Sequence, residues 1–380
     1  MDPETKNASG QSRNETEDRA NLESLLRSRL DRAPSSIERI AAGLGTRRFY
    51  RVHFSEGEPS SLIARIEPSE NPVRDLDSNE APAWLPEPAL EPLRQFLEDA
   101  GLPVPLCFAH LPDRGIDLLE DVGHRTLMDV RGQERIDLYR SACSIVPRLQ
   151  CLSGTADQIP AFGRVFDRAL IETKAWKWLH WTIPGLLDRP ASENEATSLR
   201  LLFDRIASLL DAAPRRLAHR DFKAENLHLV SLADPDAVPS KALGERIVMI
   251  DVQGAFMAPP EYDLVCLLYD LQVDLDEDFA MECFGRTLPQ LPDPADPTLA
   301  ALRFDAIATL RLCKDISHLV HAGRVRKDTR RWHEIPRGLA LLERATGRLT
   351  RTFPEIRALI SVIHALTLAA GSSDSPIQDS

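Results

Sequence analysis

Apolar positions follow two different periods along this chain. Leucines at 22, 25, 26 and 30 recur at helical spacing and predict a short leading helix, whereas residues 1–20 are polar and are expected to form a disordered tail. Between 37 and 66 the pattern changes to short β-like runs, and a turn at 56–59 joins the last two of them. The pattern therefore predicts a small antiparallel sheet near the start of the chain.

Helical spacing returns near residue 86 and dominates the rest of the chain. The predicted helices lie near 86–100, after 132, at 166–181, at 197–212 and through 298–368, while β runs fall at 102–105, 116–123, 227–230 and 246–250. This order predicts an α+β, two-lobed, protein-kinase-like fold. We expect a sheet-containing N-lobe at 21–120, a larger, mainly helical C-lobe at 121–370 and a polar tail at 371–380.

Length and charge narrow the possible functions. A chain of 380 residues exceeds the usual size of one core, and a cleft between two lobes is where a small ligand is expected to bind. The formal net charge of -12 argues against nucleic acid and acidic membranes as partners, because both require a positive face. The six scattered cysteines and the polar start of the chain predict a reduced, cytoplasmic protein.

The chemistry of the chain concentrates in one stretch. Asp221 follows His219 and Arg220, Asn226 comes five residues after Asp221, and Asp251 ends the next β run. ATP-dependent phosphoryl transfer uses such a set, with one carboxylate at the attacking hydroxyl and an amide and a second carboxylate holding Mg²⁺. We therefore predict Asp221 as the base, Asn226 and Asp251 as Mg²⁺ ligands, and His219 as a residue that orients the loop.

Residues that bind ATP phosphates are expected in the first lobe. Gly43, Gly45 and Thr46 lie between two β runs, where a glycine-rich loop can bring backbone N–H groups and a hydroxyl to phosphates. Arg65 stands where a kinase places its phosphate-anchoring lysine, although it can equally face solvent. Glu87 or Glu91 would be its acidic partner.

The adenine is expected at the crossing between the lobes. The backbone of Glu120, Asp121 and Val122 is the predicted hinge, with an ordinary strand as the alternative.

Candidate acceptor residues lie in the second lobe. Trp178 belongs to a tryptophan-rich helix and could stack on a sugar whose hydroxyls bind Glu172, although such clusters are also typical of cores. Lys223 and Gln253, next to the predicted base and metal ligand, complete the candidate set. Lys314 or the arginines at 324–331 could meet a carboxylate, whereas the acidic residues at 274–278 could instead meet a cation; solvated helix ends and turns explain both runs as well.

Two longer motifs indicate a family. The sequence HRDFKAEN taken alone resembles the catalytic loop of protein kinases, but Asp251-Val252-Gln253 replaces their Asp-Phe-Gly motif. The sequence PPEYDL that follows resembles the aminoglycoside phosphotransferase and choline kinase superfamily, in which the residue matching Asp263 braces the catalytic loop. The stretches IDVQGAFMAPPEYDLVCLLYD, LLEDVGHRTL and HEIPRGLALL are similar to the bacterial anomeric kinases of N-acetylmuramate and N-acetylglucosamine in cell-wall recycling.

This resemblance implies an ATP-dependent and Mg²⁺-dependent kinase that converts a small amino sugar to its 1-phosphate. Gly254, where that branch tends to have Asp, Lys223 and the tryptophan-rich helix depart from the pattern. Two alternatives remain: a kinase of another hydroxylated small molecule, such as an aminoglycoside or amino alcohol, and a nucleotide-binding pseudokinase.

Overall fold

The computed structural model describes residues 3–40, 47–67, 87–231 and 244–372, with side chains described from residue 15 to residue 370 within those ranges. The chain divides into two compact units. Unit 1 comprises Met1–Asp77 and Val104–Gly123, and unit 2 comprises Ser78–Pro103 and His124–Ser380. The units differ from the expected lobes chiefly at 78–103, which belongs to unit 2 although it lies in the expected N-lobe.

Helices and strands account for most of the described chain. The strands are β1 Ser36–Ile40, β2 Arg48–His53, β3 Ser61–Ile66, β4 Cys107–Leu111, β5 Ile116–Glu120, β6 Arg216–Ala218, β7 Leu227–Ser231, β8 Glu245–Met249 and β9 Phe256–Ala258. The helices are α1 Pro3–Leu30, α2 Leu90–Asp99, α3 Gly132–Cys143, α4 Ile145–Gln150, α5 Arg168–Lys177, α6 Ile183–Leu187, α7 Glu193–Asp211, α8 Tyr262–Leu268, α9 Glu277–Thr287, α10 Pro297–Arg324, α11 Ile335–Leu349 and α12 Ile356–Ser372. Single turns of 3-10 or π helix separate several of them.

Unit 1 is built on a five-stranded antiparallel sheet. Its strand order is β1-β2-β3-β5-β4, so β5 pairs with β3 and β4 follows at the edge. Alternate residues such as Tyr50, Val52 and Leu62 point into one apolar core, as the period of a half-buried strand requires. The predicted antiparallel sheet is confirmed, and β3 has the bounds expected from the sequence.

Helix α1 covers the buried face of this sheet. Leu22, Leu25 and Leu26 belong to the same core as the strands, and Asp18 accepts a hydrogen bond from Tyr50 Oη at 2.8 Å. Helix α1 begins at Pro3 and so includes residues of the segment for which the sequence predicts a disordered tail. The leucines that follow bury apolar area on the sheet, and this packing extends the helix toward the start of the chain.

The expected β run at 102–105 is not a strand, and β4 begins two residues later. Pro103 and Pro105 have no backbone N–H group to donate to a neighbouring strand. The Pro103 carbonyl still accepts from the N–H of Met249 at 2.8 Å, so the segment lies against the end of β8.

The long helix α10 forms the centre of unit 2. Helices α5, α8 and α11 pack on it, and most of its middle residues are buried. The hairpin of β7 and β8 pairs Leu227 with Met249 at one end. No helix among the described residues has the length and apolar character needed to cross a membrane.

Candidate active site

The loop between β6 and β7 is held by two aspartates that follow it in the chain. Asp263, on α8, accepts hydrogen bonds from the backbone N–H groups of His219 at 2.7 Å and Arg220 at 3.1 Å. Asp270 accepts from the N–H of Ala224 at 3.0 Å. These bonds pair backbone N–H groups of the loop that have no partner in a strand. The bracing role implied for Asp263 is confirmed.

Arg220 is held in a conformation that non-glycine residues rarely adopt, with φ at 81°. Its carbonyl accepts from Arg311 Nη1 at 3.0 Å and from Cys266 Sγ at 3.2 Å, and its guanidinium reaches Glu87 at 3.1 Å. The same guanidinium lies against Gly254, where an added Cβ would come within 3.1 Å of it. The loop conformation is therefore fixed from several sides, as expected where function requires strained backbone.

His219 acts within this loop as a structural link. Its side chain is buried, and Nε2–H donates to the carbonyl of Ile250 at 2.9 Å, next to Asp251. Burial lowers the pKa of His219 and favours the neutral ring. This geometry agrees with an orienting role rather than with proton transfer.

The hairpin brings Asn226 and Asp251 to the same end of two strands. The carbonyl of Asn226 accepts from the N–H of Ile250 at 3.0 Å, so the two residues are neighbours across the pair. Asn226 Nδ2 donates to the carbonyl of Asp221 at 2.9 Å, which orients the amide and joins it to the predicted base. Gln253 Nε2 donates to Asp251 Oδ1 at 2.5 Å.

Asp221 lies at the junction of the loop with α10. Its Oδ1 is 3.4 Å from Arg311 Nη2, and 24% of its side chain remains accessible, so another molecule can reach it. Burial alone would raise the pKa of Asp221, but the positive charges of Lys314 and Arg311 hold it well below its usual range. Asp221 is therefore a carboxylate throughout the neutral pH range.

The donor set at Asn226 and Asp251 fits a divalent cation. Burial and, after it, the nearby Asp221 carboxylate raise the pKa of Asp251. One carboxylate and one amide oxygen suit Mg²⁺, which keeps several waters when it binds. In the described part of the chain no cluster of three or more His, Cys, Asp or Glu could hold a metal ion, and this two-residue set does not require one.

Arg65 does not face solvent. The side chain is buried on β3, and Nη1 donates to Asp117 Oδ2 at 2.7 Å on the neighbouring strand, with Glu67 as a second partner. Glu87 pairs with Arg220 and Glu91 with Arg94, and a contact of either glutamate with Arg65 stays a prediction. The register of β3 with β5 sets Arg65 directly opposite Asp117, and the shortest pairing is therefore within the sheet. A contact of Arg65 with phosphate stays a prediction.

The predicted hinge residues, Glu120 to Val122, directly precede Gly123, the last residue of unit 1. Strand β5 ends at Glu120, whose N–H donates to the Leu106 carbonyl at 2.8 Å, and Asp121 pairs with Arg51 at 2.7 Å. Val122 is buried. The candidate phosphate-loop residues Gly43, Gly45 and Thr46 lie outside the described residues.

Comparison with known proteins identifies the family that carries this loop and hairpin. A model of the phosphotransferase enzyme family matches residues 36–304, which include the sheet of unit 1 and the whole Asp221, Asn226 and Asp251 set. The chain belongs to the phosphotransferase enzyme family. Its fold is the two-lobed α+β fold of kinases.

Two curated relatives are N-acetylmuramate/N-acetylglucosamine kinases. The protein from Pseudomonas putida is 26% identical over 176 residues, covering 46% of this chain and 47% of the relative. The protein from Caulobacter vibrioides is 24% identical over 228 residues, covering 58% of this chain and 59% of the relative. This phosphotransferase thus matches about half to three-fifths of the length of those relatives.

Solved structures share its fold at low identity. Choline kinase LicA from Streptococcus pneumoniae has a TM-score of 0.53 at 14% identity, covering 88% of this chain and 99% of that protein. An aminoglycoside 2'-phosphotransferase IIIa variant in complex with GDP has a TM-score of 0.54 at 15% identity, covering 86% and 96%. These similarities show the kinase-like fold.

One tryptophan of the tryptophan-rich segment of this phosphotransferase, Trp178, belongs to the core, whereas Trp176 and Trp181 are partly exposed. Only 1% of Trp178 is exposed, so the side chain cannot stack on a sugar in this conformation, and the core alternative is correct. Glu172 is exposed on α5 but lines a separate cavity of about 400 Å³ between α5 and α7, with Trp176 and Phe203. Asp221 does not line that cavity.

The other two candidate acceptor residues lie at the loop. Gln253 is buried against Asp251, and Lys223 pairs with Glu225.

The two charged runs of the later chain have structural partners. Asp276 caps α9 by accepting from the N–H of Phe279 at 3.0 Å, and Glu277 pairs with Arg344 at 2.6 Å. Arg330 pairs with Asp328 at 2.7 Å. These contacts agree with the simpler alternatives, a capped turn and a solvated helix end.

Sequence reasoning missed the polar face that α10 turns toward Asp221. Arg311, Asp315 and His318 were not among the candidates, and on α5 neither were Lys174 and Lys177. A signal was present, because polar residues at helical spacing interrupt an otherwise apolar α10.

Proposed function

We propose that this phosphotransferase is an ATP-dependent small-molecule kinase. Its proposed acceptor is the anomeric hydroxyl of a cell-wall amino sugar, N-acetylmuramate or N-acetylglucosamine, and its product the sugar 1-phosphate. The observation that carries phosphoryl transfer is the convergence of Asp221, Asn226 and Asp251 through the bonds between Asn226, Asp221 and Ile250. The names of the two curated relatives support the choice of sugar.

The proposed reaction is an in-line displacement. The acceptor oxygen forms a bond to the γ-phosphorus of ATP while the bond from that phosphorus to the bridging oxygen of the β-phosphate breaks, and ADP leaves. Asp221 orients the acceptor hydroxyl and accepts its proton. A carboxylate with a low pKa is a weak base, so the proton moves late, after the oxygen has begun to bond to phosphorus. An anomeric hydroxyl is more acidic than other sugar hydroxyls and suits such a base.

Asn226 and Asp251 would hold Mg²⁺, which when bound would neutralise charge on the phosphate oxygens. The chain prepares this position itself. Gln253 fixes the Asp251 carboxylate, and the bond from Asn226 Nδ2 to the Asp221 carbonyl leaves Oδ1 as the amide's remaining donor atom for a cation.

The nucleotide side of the proposal rests on the sequence. Gly43, Gly45 and Thr46 are proposed to cover the phosphates and the backbone of Glu120 to Val122 to bind adenine. One related structure was solved with GDP, which supports the use of a nucleotide donor. Because ATP is the proposed donor, we place the enzyme in the cytoplasm.

An acceptor panel tests this function. The purified protein is incubated with Mg-ATP and with amino sugars, aminoglycosides and amino alcohols, while ADP release and the phosphorus NMR spectrum of the product are followed. We expect turnover with N-acetylmuramate or N-acetylglucosamine and a product signal split by an anomeric proton. Turnover with cationic acceptors alone would contradict the sugar assignment, and nucleotide binding without turnover would favour a pseudokinase.

The role of Asp221 is tested by Asp221→Asn. The amide cannot accept the hydroxyl proton, so we expect turnover to fall by about 10²–10⁴-fold while ATP binding persists. Asp157→Asn, an exposed aspartate far along the chain from the loop, is the matched control and should retain full turnover. Undiminished activity of Asp221→Asn would remove Asp221 from the base position.

A further inference from the structure

Helices α5 and α10 pack together, and both carry cations on the sides that meet. On α5, Lys174 and Lys177 are three residues apart and share one face. On α10, the facing residues recur at spacings of three, one and three along the helix. They are Arg311, Lys314, Asp315 and His318.

Direct contacts connect this region to the predicted base. Lys177 Nζ donates to His318 Nε2 at 2.9 Å, and Lys314 Nζ lies 2.9 Å from Asp315 Oδ1. Arg311 bridges two carboxylates, with Nε 3.4 Å from Asp315 and Nη2 3.4 Å from Asp221. Polar contacts thus join α5 to α10 at His318, and α10 to the atom proposed to accept the acceptor's proton at Arg311.

The charges in this region do not balance. Of the groups that act most strongly on the charge of Lys174, three are cations, Lys314, Lys177 and Arg311, and one is a carboxylate, Asp315. Within the described ranges, no carboxylate lies at ion-pair distance from Lys174, whose nearest aromatic neighbour is Phe166 at 5.3 Å. A local excess of positive charge is unexpected in a chain with a net charge of -12.

The electrostatics of the lysines favour binding of an anion. Burial, followed by the charges of Lys314 and Lys177, lowers the pKa of Lys174 well below its usual range. Burial, followed by Lys314 and Arg220, lowers the pKa of Lys177 to about 7. Burying cations beside other cations is unfavourable, and a ligand carboxylate would relieve the repulsion.

Exposure shows from which side an anion could enter. The side chains of Asp221 and Lys314 are 24% and 18% accessible, whereas Lys174 and Lys177 are each 4% accessible. The group of residues is thus open near Asp221 and closed toward α5. A molecule with its hydroxyl at Asp221 would extend toward the lysines.

We propose that the acceptor carries an anionic group, in its simplest form a carboxylate, which binds Lys174 and Lys177 between α5 and α10. This inference rests on the proposed function only in placing the acceptor hydroxyl at Asp221. N-acetylmuramate differs from N-acetylglucosamine by a lactyl ether that bears a carboxylate, so the site selects N-acetylmuramate of the two. Cationic acceptors such as aminoglycosides are disfavoured by the same charges.

The test measures selectivity rather than activity alone. The ratio of kcat/KM for N-acetylmuramate to that for N-acetylglucosamine is determined for the wild type, Lys174→Met and Lys177→Met. We expect each substitution to lower this ratio about ten- to a hundredfold, the usual effect of losing one hydrogen bond to a charged group. Lys327→Met, which removes an exposed lysine beyond α10, is the control and should leave the ratio unchanged.

A charge-retaining variant separates binding from packing. Lys177→Arg should recover part of the ratio that Lys177→Met loses, because the guanidinium can still bind a carboxylate. Equal losses for both sugars in the methionine variants, or no loss for either, would overturn the proposal. If a methionine variant fails to fold, Lys177→Arg and isothermal titration of the wild type with the two sugars still decide it.

Binding experiments distinguish failure of this inference from failure of the proposed function. Calorimetric titration with N-acetylmuramate and glucuronate, each against its neutral counterpart, requires no turnover. Carboxylate-dependent binding that Lys174→Met abolishes, without phosphorylation of any amino sugar, would overturn the proposed function and support the anion site. Phosphorylation of an amino sugar, with no preference for the carboxylate in the kinetic or the calorimetric assay, would support the proposed function and overturn the anion site.

Discussion

Arg65 in unit 1 and Lys174 in unit 2 are both buried cations, but the charges around them have opposite signs. Arg65 donates to Asp117 at 2.7 Å and also pairs with Glu67. The neighbouring charges with the largest effect on the pKa of Lys174 are those of two other cations, Lys314 and Lys177. Removing one partner of a buried ion pair is destabilising because it leaves an uncompensated charge, whereas a buried cation among other cations itself costs stability and is better suited to binding a ligand.

The difference lies in the local environment rather than in the unit. Unit 2 also contains a matched pair, in which Arg303 Nε lies 3.1 Å from both carboxylate oxygens of the buried Glu261. Glu261 immediately precedes the helix that carries Asp263, so this pair anchors the start of α8 below the catalytic loop. The same helix, α10, carries Arg303 near its start and, two to three turns further along, Arg311 and Lys314, which face the lysines of α5.

The largest expected effect concerns the matched pair of unit 1. Arg65→Met should lower the free energy of unfolding by about 3–5 kcal/mol, because it leaves the buried Asp117 carboxylate without its principal cation. Urea unfolding followed by circular dichroism measures this change. Nucleotide affinity measured on the same variant tests whether Arg65 also contacts phosphate.

Arg39→Met serves as the control for this comparison. Arg39 makes a longer, exposed pair with Glu15 at 3.5 Å, and its removal should change stability by less than about 0.5 kcal/mol. If Arg65→Met lowered the free energy of unfolding as little as the control does, the buried pair of unit 1 would not be structural. The contrast between Arg65 and Lys174 would then fail.

The catalytic loop and the basic region were not equally predictable. Asp221, Asn226 and Asp251 could be singled out because their spacing is local, and the predicted hairpin, which brings Asn226 and Asp251 to the same end, is present. The proposed acceptor side depends on two helices more than 100 residues apart, and spacing within one helix does not show which face meets another. Trp178 was attractive as an aromatic, yet only packing decides whether such a residue is in the core.

Arg65 illustrates a different limit. Its position on β3 was predicted correctly, but its partner depends on strand order, which places β5 rather than a helix beside it. Because β5 follows β3 by some 50 residues, no local pattern could indicate the Arg65 and Asp117 pair. The bounds of β3 and the existence of the sheet, by contrast, follow from the alternation within each run.

The second prediction concerns the lysines of α5, where removing a cation should raise the free energy of unfolding rather than lower it. Lys177→Met should raise the free energy of unfolding by about 2 kcal/mol at pH 6, because it removes a charge that folding must bury. The folded-state pKa of Lys177 is about 7, below that of the unfolded chain. The unfavourable contribution is therefore complete below pH 7 and shrinks as the pH rises toward the unfolded pKa, so the gain should diminish between pH 7 and pH 10.

Thermal and urea unfolding at pH 6 and pH 9 measure this dependence. Lys327→Met again provides the control, since its side chain is exposed and its removal should have little effect at either pH. A destabilised Lys177→Met protein would mean that Lys177 makes a net favourable contribution like that of Arg65, and the contrast between the two cations would fail.

The smallest effect is a pH dependence of acceptor binding. Lys177 faces His318, Lys314 and Asp315 of α10 and Lys174 of its own helix, with Arg220 of the catalytic loop also acting on it. A bound carboxylate favours the charged lysine, so binding should take up a proton at pH values above about 7. Affinity for N-acetylmuramate is expected to fall about fivefold between pH 7 and pH 8, within the tenfold limit for one proton per pH unit.

Calorimetry in buffers of different ionisation enthalpy measures the proton uptake directly, and N-acetylglucosamine serves as the matched ligand without a carboxylate. The coupling should be absent in Lys177→Met, whose side chain cannot titrate. If N-acetylmuramate bound with the same affinity from pH 6 to pH 9, Lys177 would be either permanently charged or remote from the anion. The positive charge between α5 and α10 would then have to act on the acceptor through Lys314, the cation with the largest effect on Asp221.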